Sequence, residues 1–262
     1  MSKICPLFSG STGNSTYISY EDKGVLIDVG MSCKSVLEAL ENAGGSIEEI
    51  RAIAITHEHT DHIKGLKALL KKSNASLLAS EQTLETLMKM DIVPPKTQTI
   101  ALDENGYCTN GILINRFATS HDCEGSSGYN VILPDGKKIS VCTDLGVVTD
   151  EVRTAISSSD VLLLESNHDI EMLKKGPYPP QTKLRIISNK GHISNMACAA
   201  ELKALLKGGT ERFILGHLSL NNNTPLLALS SAEASLMDIG AQNGKDYLLK
   251  VAGPKNNGVT VI

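Results

Sequence analysis

The sequence predicts an α/β protein in which two β-sheets carry helices on their outer faces. Short strand-like runs dominate the first part of the chain, and helical patterns are interspersed among strand-like runs in both halves. Because a helix or a sheet must bury its apolar side against another layer, this mixture favours a layered architecture. Periodicity alone does not select this arrangement over other α/β folds. The length of 262 residues does not by itself decide between one domain and two.

The first half of the chain predicts four strands and three helices. The strands are short apolar runs at 4–8, 16–20, 25–29 and 51–56. The helices have helical spacing of their apolar residues, at about 32–42, 64–72 and 81–90. Gly44-Gly45 ends the first helix, and Pro94-Pro95 closes this section of the chain. The last of the four strands leads directly into a histidine-rich segment.

The second half predicts more strands, with helices between them. Strands are expected at 112–117, 128–133, 138–142, 160–165 and 212–215, followed by a strand near the C-terminus. Pro134-Asp-Gly136 is a turn between two of these strands. Helices are expected at about 149–157, from a cap at Ser194 or Asn195 to Gly208, and at about 225–239.

Charge excludes a whole-molecule attraction to nucleic acid. The net charge is −4 and the isoelectric point is near 6.0, so nucleic-acid binding would depend on a local patch. One candidate patch lies between Lys174 and Lys190, where five basic residues occur without an acidic one. A solvated surface is the default interpretation of such a stretch.

Cysteine usage and hydropathy favour a cytoplasmic protein. Six cysteines lie scattered through apolar runs without a CxxC pair, which is typical of reduced, buried thiols. The first residues, Met1 to Pro6, lack the apolar region of a signal peptide, and no stretch approaches the length of a membrane span. We therefore expect a cytoplasmic location and no membrane association.

The strongest chemical signal is the segment His57-Glu58-His59-Thr60-Asp61-His62. It places three imidazoles and a carboxylate within six residues of a chain that has only seven histidines. A loop after a buried strand can turn His57 and His59 toward one point, and Asp61 with His62 toward a neighbouring point. Imidazole nitrogen and carboxylate oxygen are ligands that Zn²⁺ or Mn²⁺ accepts. Because an ordinary polar loop rarely concentrates such ligands, the segment predicts a metal site.

This segment resembles the HxHxDH motif of the metallo-β-lactamase superfamily, and the resemblance continues along almost the whole chain. Four further motifs occur in the expected order: Asp28 in Leu26-Ile-Asp-Val-Gly30, His121 in Thr119-Ser-His-Asp122, Asp144 in Cys142-Thr-Asp-Leu145 and His217 in Leu215-Gly-His-Leu-Ser219. The resemblance implies a single α/β domain over residues 1–262, built as an αββα four-layer sandwich. The site would lie at one edge, between the two sheets.

The resemblance also implies two divalent metal ions and a ligand for each position around them. One ion would be held by His57, His59 and His121, the other by Asp61, His62 and His217, with Asp144 shared between them. Asp28 would support the metal-binding loop. Two such cations lower the pKa of a bound water from about 15.7 toward 7, which provides hydroxide at neutral pH. The ligands accept Zn²⁺, Mn²⁺ or iron.

Additional segments resemble the YycJ/WalJ group, which is related to the ribonuclease Z-like nucleic-acid-processing branch of the superfamily. They are Ser9 to Ser15, Leu164-Glu-Ser-Asn-His-Asp169, Gly191-His-Ile-Ser-Asn195 and the surroundings of His217. That group is associated with 5′-to-3′ DNA exonuclease activity, so the resemblance implies a phosphodiesterase that acts on DNA ends. Only 22 residues separate His121 from Asp144, which leaves no room for the long tRNA-binding arm of ribonuclease Z.

Two histidines are alternative candidates for the residue that donates a proton to the leaving group. Leu164 stands before Glu165, where ribonuclease Z has its general-acid histidine, so His168 or His192 would take that role. A protonated imidazole is suited to donating a proton near neutral pH. Alternatively, Glu165 only orients His192, and both support His217 from behind. Asp61, Glu165, His168 and His192 are therefore the candidate catalytic residues.

Two loops have alternative interpretations. Ser9 to Ser15 could present backbone N–H groups to a phosphate, although a tight hairpin connection is favoured. Ser219 and the run Asn221 to Asn223 could contact phosphate through neutral donors, or could serve as turn and cap residues before the helix at Pro225.

A metal-dependent phosphodiesterase or nuclease, with DNA rather than RNA as its substrate, is the leading prediction. The same metal site also serves hydrolases of small esters, thioesters, lactones or cyclic phosphodiesters, which are the alternative. A non-catalytic metal-binding scaffold is a third hypothesis. A true β-lactamase is disfavoured because Asp144 stands where those enzymes commonly have cysteine.

Overall fold

Alternating burial along the strands divides the apolar core into three layers. In the strand Lys23–Ile27, Val25 and Ile27 lie in the layer between two sheets, whereas Leu26 packs against helices on the outer face. The second sheet repeats this pattern, with Leu163 between the sheets and Leu162 under its own helices. The computed structural model, which describes residues 1–255 and 257–262, is therefore an αββα sandwich, as predicted.

Each sheet has seven strands. In spatial order, the first sheet consists of β14 (Thr260–Val261), β1 (Ser2–Phe8), β2 (Ser15–Tyr20), β3 (Lys23–Ile27), β4 (Ile50–Ala54), β5 (Ser76–Ala79) and β6 (Thr99–Ala101). The second consists of β13 (Leu248–Val251), β12 (Arg212–Gly216), β11 (Val161–Glu165), β10 (Lys138–Cys142), β9 (Ser127–Ile132), β8 (Ile112–Ala118) and β7 (Tyr107–Thr109).

Nine helices lie among the described residues. They are α1 (Cys33–Asn42), α2 (Thr60–Ile63), α3 (Leu66–Leu70), α4 (Glu81–Lys89), α5 (Asp150–Ile156), α6 (Ile170–Lys175), α7 (Pro180–Ile186), α8 (Asn195–Lys207) and α9 (Pro225–Met237). Helices α1, α3 and α4 cover the first sheet, and α5, α8 and α9 cover the second. No helix in this described part combines the length and the apolar composition that crossing a membrane requires.

Both sheets change from antiparallel to parallel pairing at one strand. β3 pairs antiparallel with β2 and parallel with β4, and β10 pairs antiparallel with β9 and parallel with β11. Ligand sites in α/β proteins form where the carboxyl ends of parallel strands meet. The loops after β3, β4, β10, β11 and β12 therefore meet at one edge of the sandwich, and they carry the residues singled out above.

The predicted elements agree with the structure, except at one helix and in several short segments. The pattern at 64–72 predicts one helix, but within that range the chain forms only α3, and the separate short helix α2 precedes it with Lys64 and Gly65 between the two. Gly65 donates its N–H to the carbonyl of Val29, and a Cβ there would lie 2.2 Å from the carbonyl oxygen of Met31. The tight packing of this segment against the loop after β3 interrupts the helix. Strands β5, β6 and β7 and helices α2, α6 and α7 were not predicted, and the one strand expected near the C-terminus is two, β13 and β14. Each of these elements has at most seven residues.

The cysteines agree only partly with the expectation of buried thiols. All six are free, but only Cys5, Cys142 and Cys198 are buried, and Cys108 is exposed.

Candidate active site

Strand ends position the predicted metal-binding residues. Asp28 follows β3, Asp144 lies two residues after β10, and His217 follows β12. All three have left-handed backbone conformations, with φ of 62°, 59° and 53°. Such conformations are costly for residues other than glycine and concentrate at functional sites. The strand ends therefore aim these side chains at the edge where the two sheets meet.

Three histidines form the first group of donors. The Nε2 atom of His57 lies 3.0 Å from Nδ1 of His59, which in turn lies 3.4 Å from Nε2 of His121. One nitrogen from each ring lies within 4.8 Å of the other two. The structure thus brings together the three residues expected to hold one ion, although His121 is far from the other two in the sequence.

A second group forms around Asp61. Its Oδ2 atom lies 3.6 Å from Nε2 of His62 and 3.8 Å from Nε2 of His217. Asp144 lies between the two groups, because its Oδ2 is 3.3 Å from His62 Nε2 and its Oδ1 is 3.9 Å from His121 Nε2. This is the arrangement expected of a carboxylate shared between two neighbouring positions.

A partner on the opposite ring nitrogen orients the buried imidazoles. Nδ1 of His62 lies 2.7 Å from the Asp28 carboxylate, which also accepts hydrogen bonds from the N–H and hydroxyl of Thr56. Nδ1 of His57 lies 3.0 Å from the Thr56 hydroxyl, and Nδ1 of His121 lies 3.1 Å from the carbonyl oxygen of Gly191. Hydrogen bonds of this kind fix the tautomer and leave Nε2 as the ligand atom.

The donor set fits divalent metal ions. Oδ2 of Asp144 is buried and has no hydrogen-bond partner in the described part of the chain, although buried carboxylate oxygens are normally paired. A bound divalent cation would supply the missing partner. Burial, with the nearby imidazole of His62, holds the pKa of His57 well below its usual range, and burial also lowers the pKa of His121. Both rings are therefore neutral at neutral pH, which is the form that binds metal.

Glu165 joins the metal-binding cluster to His192. The carboxylate is fully buried, and its Oε1 lies 2.8 Å from Nδ1 of His192 and 2.9 Å from Nδ1 of His217. Oε2 accepts the backbone N–H groups of Leu145 and Ile193, both at 3.2 Å. Burial opposes ionisation, but the His192 and His217 rings hold the pKa of Glu165 below its usual range. The carboxylate therefore stays charged beside His192.

His168 lies apart from this cluster. It belongs to none of the groups of potential ligands among the described residues, and it lines a separate cavity together with His192. Its side chain is buried, and its Nδ1 has no hydrogen-bond partner within the described part of the chain. Burial lowers the pKa of His168 to about 4, so the ring is neutral at neutral pH.

An open cleft of about 240 Å³ reaches the cluster from solvent and is lined by His59, Asp61, Asp144, His192 and His217. Its walls add Asn167, Tyr178, Thr182 and Arg185, of which only Arg185 was noted from the sequence, as part of the basic stretch.

Asp122 was also missed, although it directly follows His121. Its carboxylate lies 3.5 Å from Nε2 of His59 and 2.5 Å from Nε of Arg185. Its position in the sequence beside a predicted ligand was the available signal.

The two ambiguous loops have mainly structural roles. Ser9 to Ser15 joins β1 and β2 as a hairpin, in which Asn14 donates its N–H to the carbonyl of Asp61. Asn222 and Asn223 are buried, and Thr224 caps α9, as the turn-and-cap interpretation predicts. Ser11 and Ser219, one from each loop, nevertheless line the cleft.

Comparison with known proteins agrees with this geometry. Residues 24–218 match the family model of the beta-lactamase superfamily domain. The chain is 34% identical over 250 residues to the exodeoxyribonuclease YycJ of Bacillus anthracis, covering 95% of this chain and 94% of that protein. It is also 34% identical over 255 residues to the exodeoxyribonuclease WalJ of Streptococcus pneumoniae strain D39, covering 96% of this chain and 94% of that protein.

Solved structures show the same fold at lower identity. The metallo-beta-lactamase fold protein YhfI from Bacillus subtilis superposes with a TM-score of 0.74 at 14% identity, covering 99% of this chain and 98% of that one. The matching model, the near-full-length relatives and the shared sandwich lead to one conclusion: the chain belongs to the metallo-β-lactamase superfamily, in the group of the YycJ and WalJ proteins.

Proposed function

We propose that this protein is a metal-dependent phosphodiesterase that removes nucleotides from the ends of DNA. The observation that carries the proposal is the Glu165–His192 pair, which lies beside the metal-binding cluster and on the wall of the open cleft. A phosphodiester needs both an activated water and a proton for its leaving oxygen, and the site provides residues for both. The full-length similarity to two proteins named exodeoxyribonucleases supports DNA as the substrate.

In this proposal the donors bind two divalent ions. His57, His59 and His121 would hold one, Asp61, His62 and His217 would hold the other, and Asp144 would be shared between them. When bound, such a pair supplies an activated water at neutral pH and neutralises charge on the phosphate. Zn²⁺ and Mn²⁺ are the expected ions, because nitrogen and oxygen ligands of this kind accept both, and iron fits the same donor set.

Asp61 is the carboxylate available to orient the attacking water. It lines the cleft and is partly exposed, unlike the buried Asp144. Burial works against its charge, but the nearby imidazoles of His217 and His62 hold the pKa of Asp61 below its usual range. The side chain therefore remains an acceptor for a water proton throughout the neutral pH range.

His192, rather than His168, is the proposed proton donor. Glu165 accepts a hydrogen bond from Nδ1 of His192, which leaves Nε2 for the leaving oxygen of the substrate. As the water oxygen bonds to phosphorus, the bond to the leaving oxygen breaks and that oxygen takes the proton from Nε2. His168 lacks a carboxylate partner, does not line the cleft, and is neutral at working pH.

Arg185 is proposed to attract the DNA backbone. Its guanidinium is half exposed at the cleft wall and is held by Asp122. Guanidinium groups bind phosphate through paired hydrogen bonds, so one positioned arginine provides local attraction on a protein of net negative charge.

The test is digestion of oligonucleotides labelled at the 5′ or the 3′ end, as DNA and as RNA, by protein stripped of metal and reloaded with Mn²⁺ or Zn²⁺. Stepwise shortening of DNA from the 5′ end is expected. It should be lost in Asp144→Asn and retained in Asp238→Asn, which makes the same change at an exposed surface pair. Intact DNA under both metals, with hydrolysis of small esters, would replace this proposal with a small-molecule hydrolase.

A further inference from the structure

A second cavity opens beside the candidate active site, and the proposed function does not yet use it. Its volume is about 360 Å³, within the range of pockets that bind small molecules. Helix α6, the end of α7 and the beginning of α8 enclose it. Its walls are mainly aliphatic, from Ile170, Leu173 and Ile187, while His168 and Ser194 contribute polar groups.

His192 connects this cavity to the cleft. This residue lines both spaces, and helix α7 contributes side chains to both of them. Thr182 and Arg185 face the cleft, whereas Lys183 and Ile187 line the cavity. A molecule that contacts His192 in the cleft therefore lies next to the cavity.

The unpaired nitrogen of His168 is a second, independent observation. The side chain is only 2% exposed, and its Nδ1 has no partner among the residues that the structure describes. Buried polar groups are normally hydrogen-bonded, and this unpaired nitrogen belongs to a residue that lines the cavity, so we take it as a sign of a ligand there. The neutral ring offers one donor and one acceptor, which matches the alternating donors and acceptors on the edge of a nucleobase.

We propose that this cavity binds the base of the terminal nucleotide, the one that hydrolysis releases. The inference rests on the proposed nuclease activity and deepens it. His192 is placed to protonate the leaving oxygen, so the cavity lies on the leaving-group side of the scissile phosphate. In removal of a 5′-terminal nucleotide, that oxygen is its 3′-oxygen, and its base lies within reach of the aliphatic walls.

The occupant is inferred from size, shape and charge together. A base is apolar on its faces and polar at its edge, and the cavity offers aliphatic walls together with the polar groups of His168 and Ser194. Lys183 adds positive charge at the cavity, which suits a ligand attached to phosphate, whereas the ammonium of Lys174 is paired with Glu171 at 2.9 Å. A pocket for one terminal base would favour the proposed removal of nucleotides from an end over internal cleavage.

The experiment fills the cavity from an exposed helix position. Ala197 is exposed on α8 and lines the cavity, so Ala197→Leu reduces its volume without disturbing the core. Ala200→Leu is the matched control, because it makes the same change at an exposed position of the same helix that does not line the cavity. Ile187→Ala, at a side chain that is 58% exposed, removes one wall instead of filling the space.

Three substrates separate base binding from chemistry: an oligonucleotide, the same oligonucleotide with an abasic terminal position, and bis(p-nitrophenyl) phosphate. Ala197→Leu and Ile187→Ala should raise KM for the normal oligonucleotide about tenfold, the order expected for loss of one bound base. The other two substrates should change by less than about twofold, because they present no terminal base. Ala200→Leu should match the wild type on all three.

The outcomes are distinct. Equal losses on all three substrates, or no loss on any, would overturn the base site while leaving the nuclease intact. Wild-type protein that hydrolyses bis(p-nitrophenyl) phosphate but neither oligonucleotide would overturn the nuclease proposal and this inference with it. A loss of activity only on the oligonucleotide whose terminal position carries a base supports the cavity as the base site.

Discussion

Replacement of Glu165 by glutamine tests the proposed proton donor most directly. The carboxylate has four donors around it, namely the two imidazole Nδ1 groups on Oε1 and two backbone N–H groups on Oε2. Glutamine has nearly the same shape, but it offers one acceptor oxygen and one NH₂ donor. Whichever way the amide turns, two of the four donors lose their acceptor.

The size of the effect follows from that count. A hydrogen bond to a charged group contributes about 1.5–3 kcal/mol. Loss of the hydrogen bond that holds His192 costs about 2 kcal/mol, which corresponds to about a 30-fold fall in kcat. Complete loss of general-acid catalysis sets the upper limit, at about 10²–10⁴-fold. We therefore expect Glu165→Gln to cleave DNA at least about 30-fold more slowly.

The assay compares two leaving groups at saturating metal. The 3′-oxygen of a nucleotide needs a proton to depart, whereas p-nitrophenolate departs as the anion. Glu165→Gln should therefore lose its activity on DNA but retain bis(p-nitrophenyl) phosphate hydrolysis to within about threefold. Saturating metal removes the part of the effect that passes through His217. Glu201→Gln is the matched control, because Glu201 binds Arg153 on the outer surface, away from the site.

Two results would refute the reasoning. An equal loss on both substrates would show that Glu165 acts only through His217 and metal binding. Normal DNA cleavage by Glu165→Gln would show that the pair with His192 takes no part in proton donation.

Three further predictions follow from the structure. Gly30→Ala places a Cβ 1.7 Å from the Asp61 carbonyl oxygen, so it should lower the free energy of unfolding by about 3 kcal/mol in chemical denaturation. Gly208→Ala is the control, because its Cβ would lie 3.4 Å from the nearest atom, and it should not destabilise the fold. Equal stability of the two variants would contradict the packing argument. Arg185→Ala should reduce the slope of log affinity for DNA against log salt concentration by about 0.7–0.9, and Arg185→Lys should retain the wild-type slope. An unchanged slope in Arg185→Ala would show that Arg185 does not contact the DNA backbone. Burial opposes protonation of His62, but the Asp144 and Asp28 carboxylates raise the pKa of His62 to about 9 in the metal-free protein, so metal binding must release that proton. Calorimetry should show Zn²⁺ affinity rising about tenfold per pH unit for each proton released. The same shift stabilises the metal-free fold below the ordinary pKa of histidine, and this stabilisation should disappear as the pH rises through about 9. If neither the Zn²⁺ affinity nor the stability of the metal-free protein changed over this pH range, the pairing of His62 with the two carboxylates would be contradicted.

The metal-binding cluster was predictable because its residues are concentrated or lie at strand ends. His57 to His62 form a dense group of ligands directly after a buried strand. Asp144 and His217 also follow apolar runs that read as strands. The resemblance of these motifs, in their order, to the metallo-β-lactamase superfamily implied that they meet at one edge of the sandwich, where the carboxyl ends of the strands lie.

The surroundings of His192 were not predictable in the same way. Both His168 and His192 lie in polar segments that contain or follow Glu165, and nothing in these segments favours one histidine over the other. The choice depends on the direction of one buried carboxylate, which contacts His192 at 2.8 Å and not His168. The cavity was equally hidden, because it is enclosed by α6 and α7, two short helices in a segment interrupted by Gly176 and three prolines.

A local repeat shows why a motif alone does not determine a role. Asp28-Val-Gly30 follows β3 and Asp144-Leu-Gly146 lies just after β10, and these are the two strands at which each sheet turns from antiparallel to parallel pairing. Both aspartates have positive φ, and both glycines are too closely packed for a Cβ, which would lie 1.7 Å and 2.3 Å from backbone atoms. The carboxylates nevertheless differ in what surrounds them.

Asp28 is saturated by its neighbours, whereas Asp144 is not. The two oxygens of Asp28 accept two hydrogen bonds from Thr56 and contact His62 at 2.7 Å. Oδ2 of Asp144 has no hydrogen-bond partner in the described structure and lies between two groups of ligands. The same strand-end geometry therefore produces a supporting residue in one sheet and a proposed metal ligand in the other. The difference arises from the segment that follows β4. Thr56 of this segment donates two hydrogen bonds to the Asp28 carboxylate, whereas His62 of the same segment lies 3.3 Å from the unpaired oxygen of Asp144.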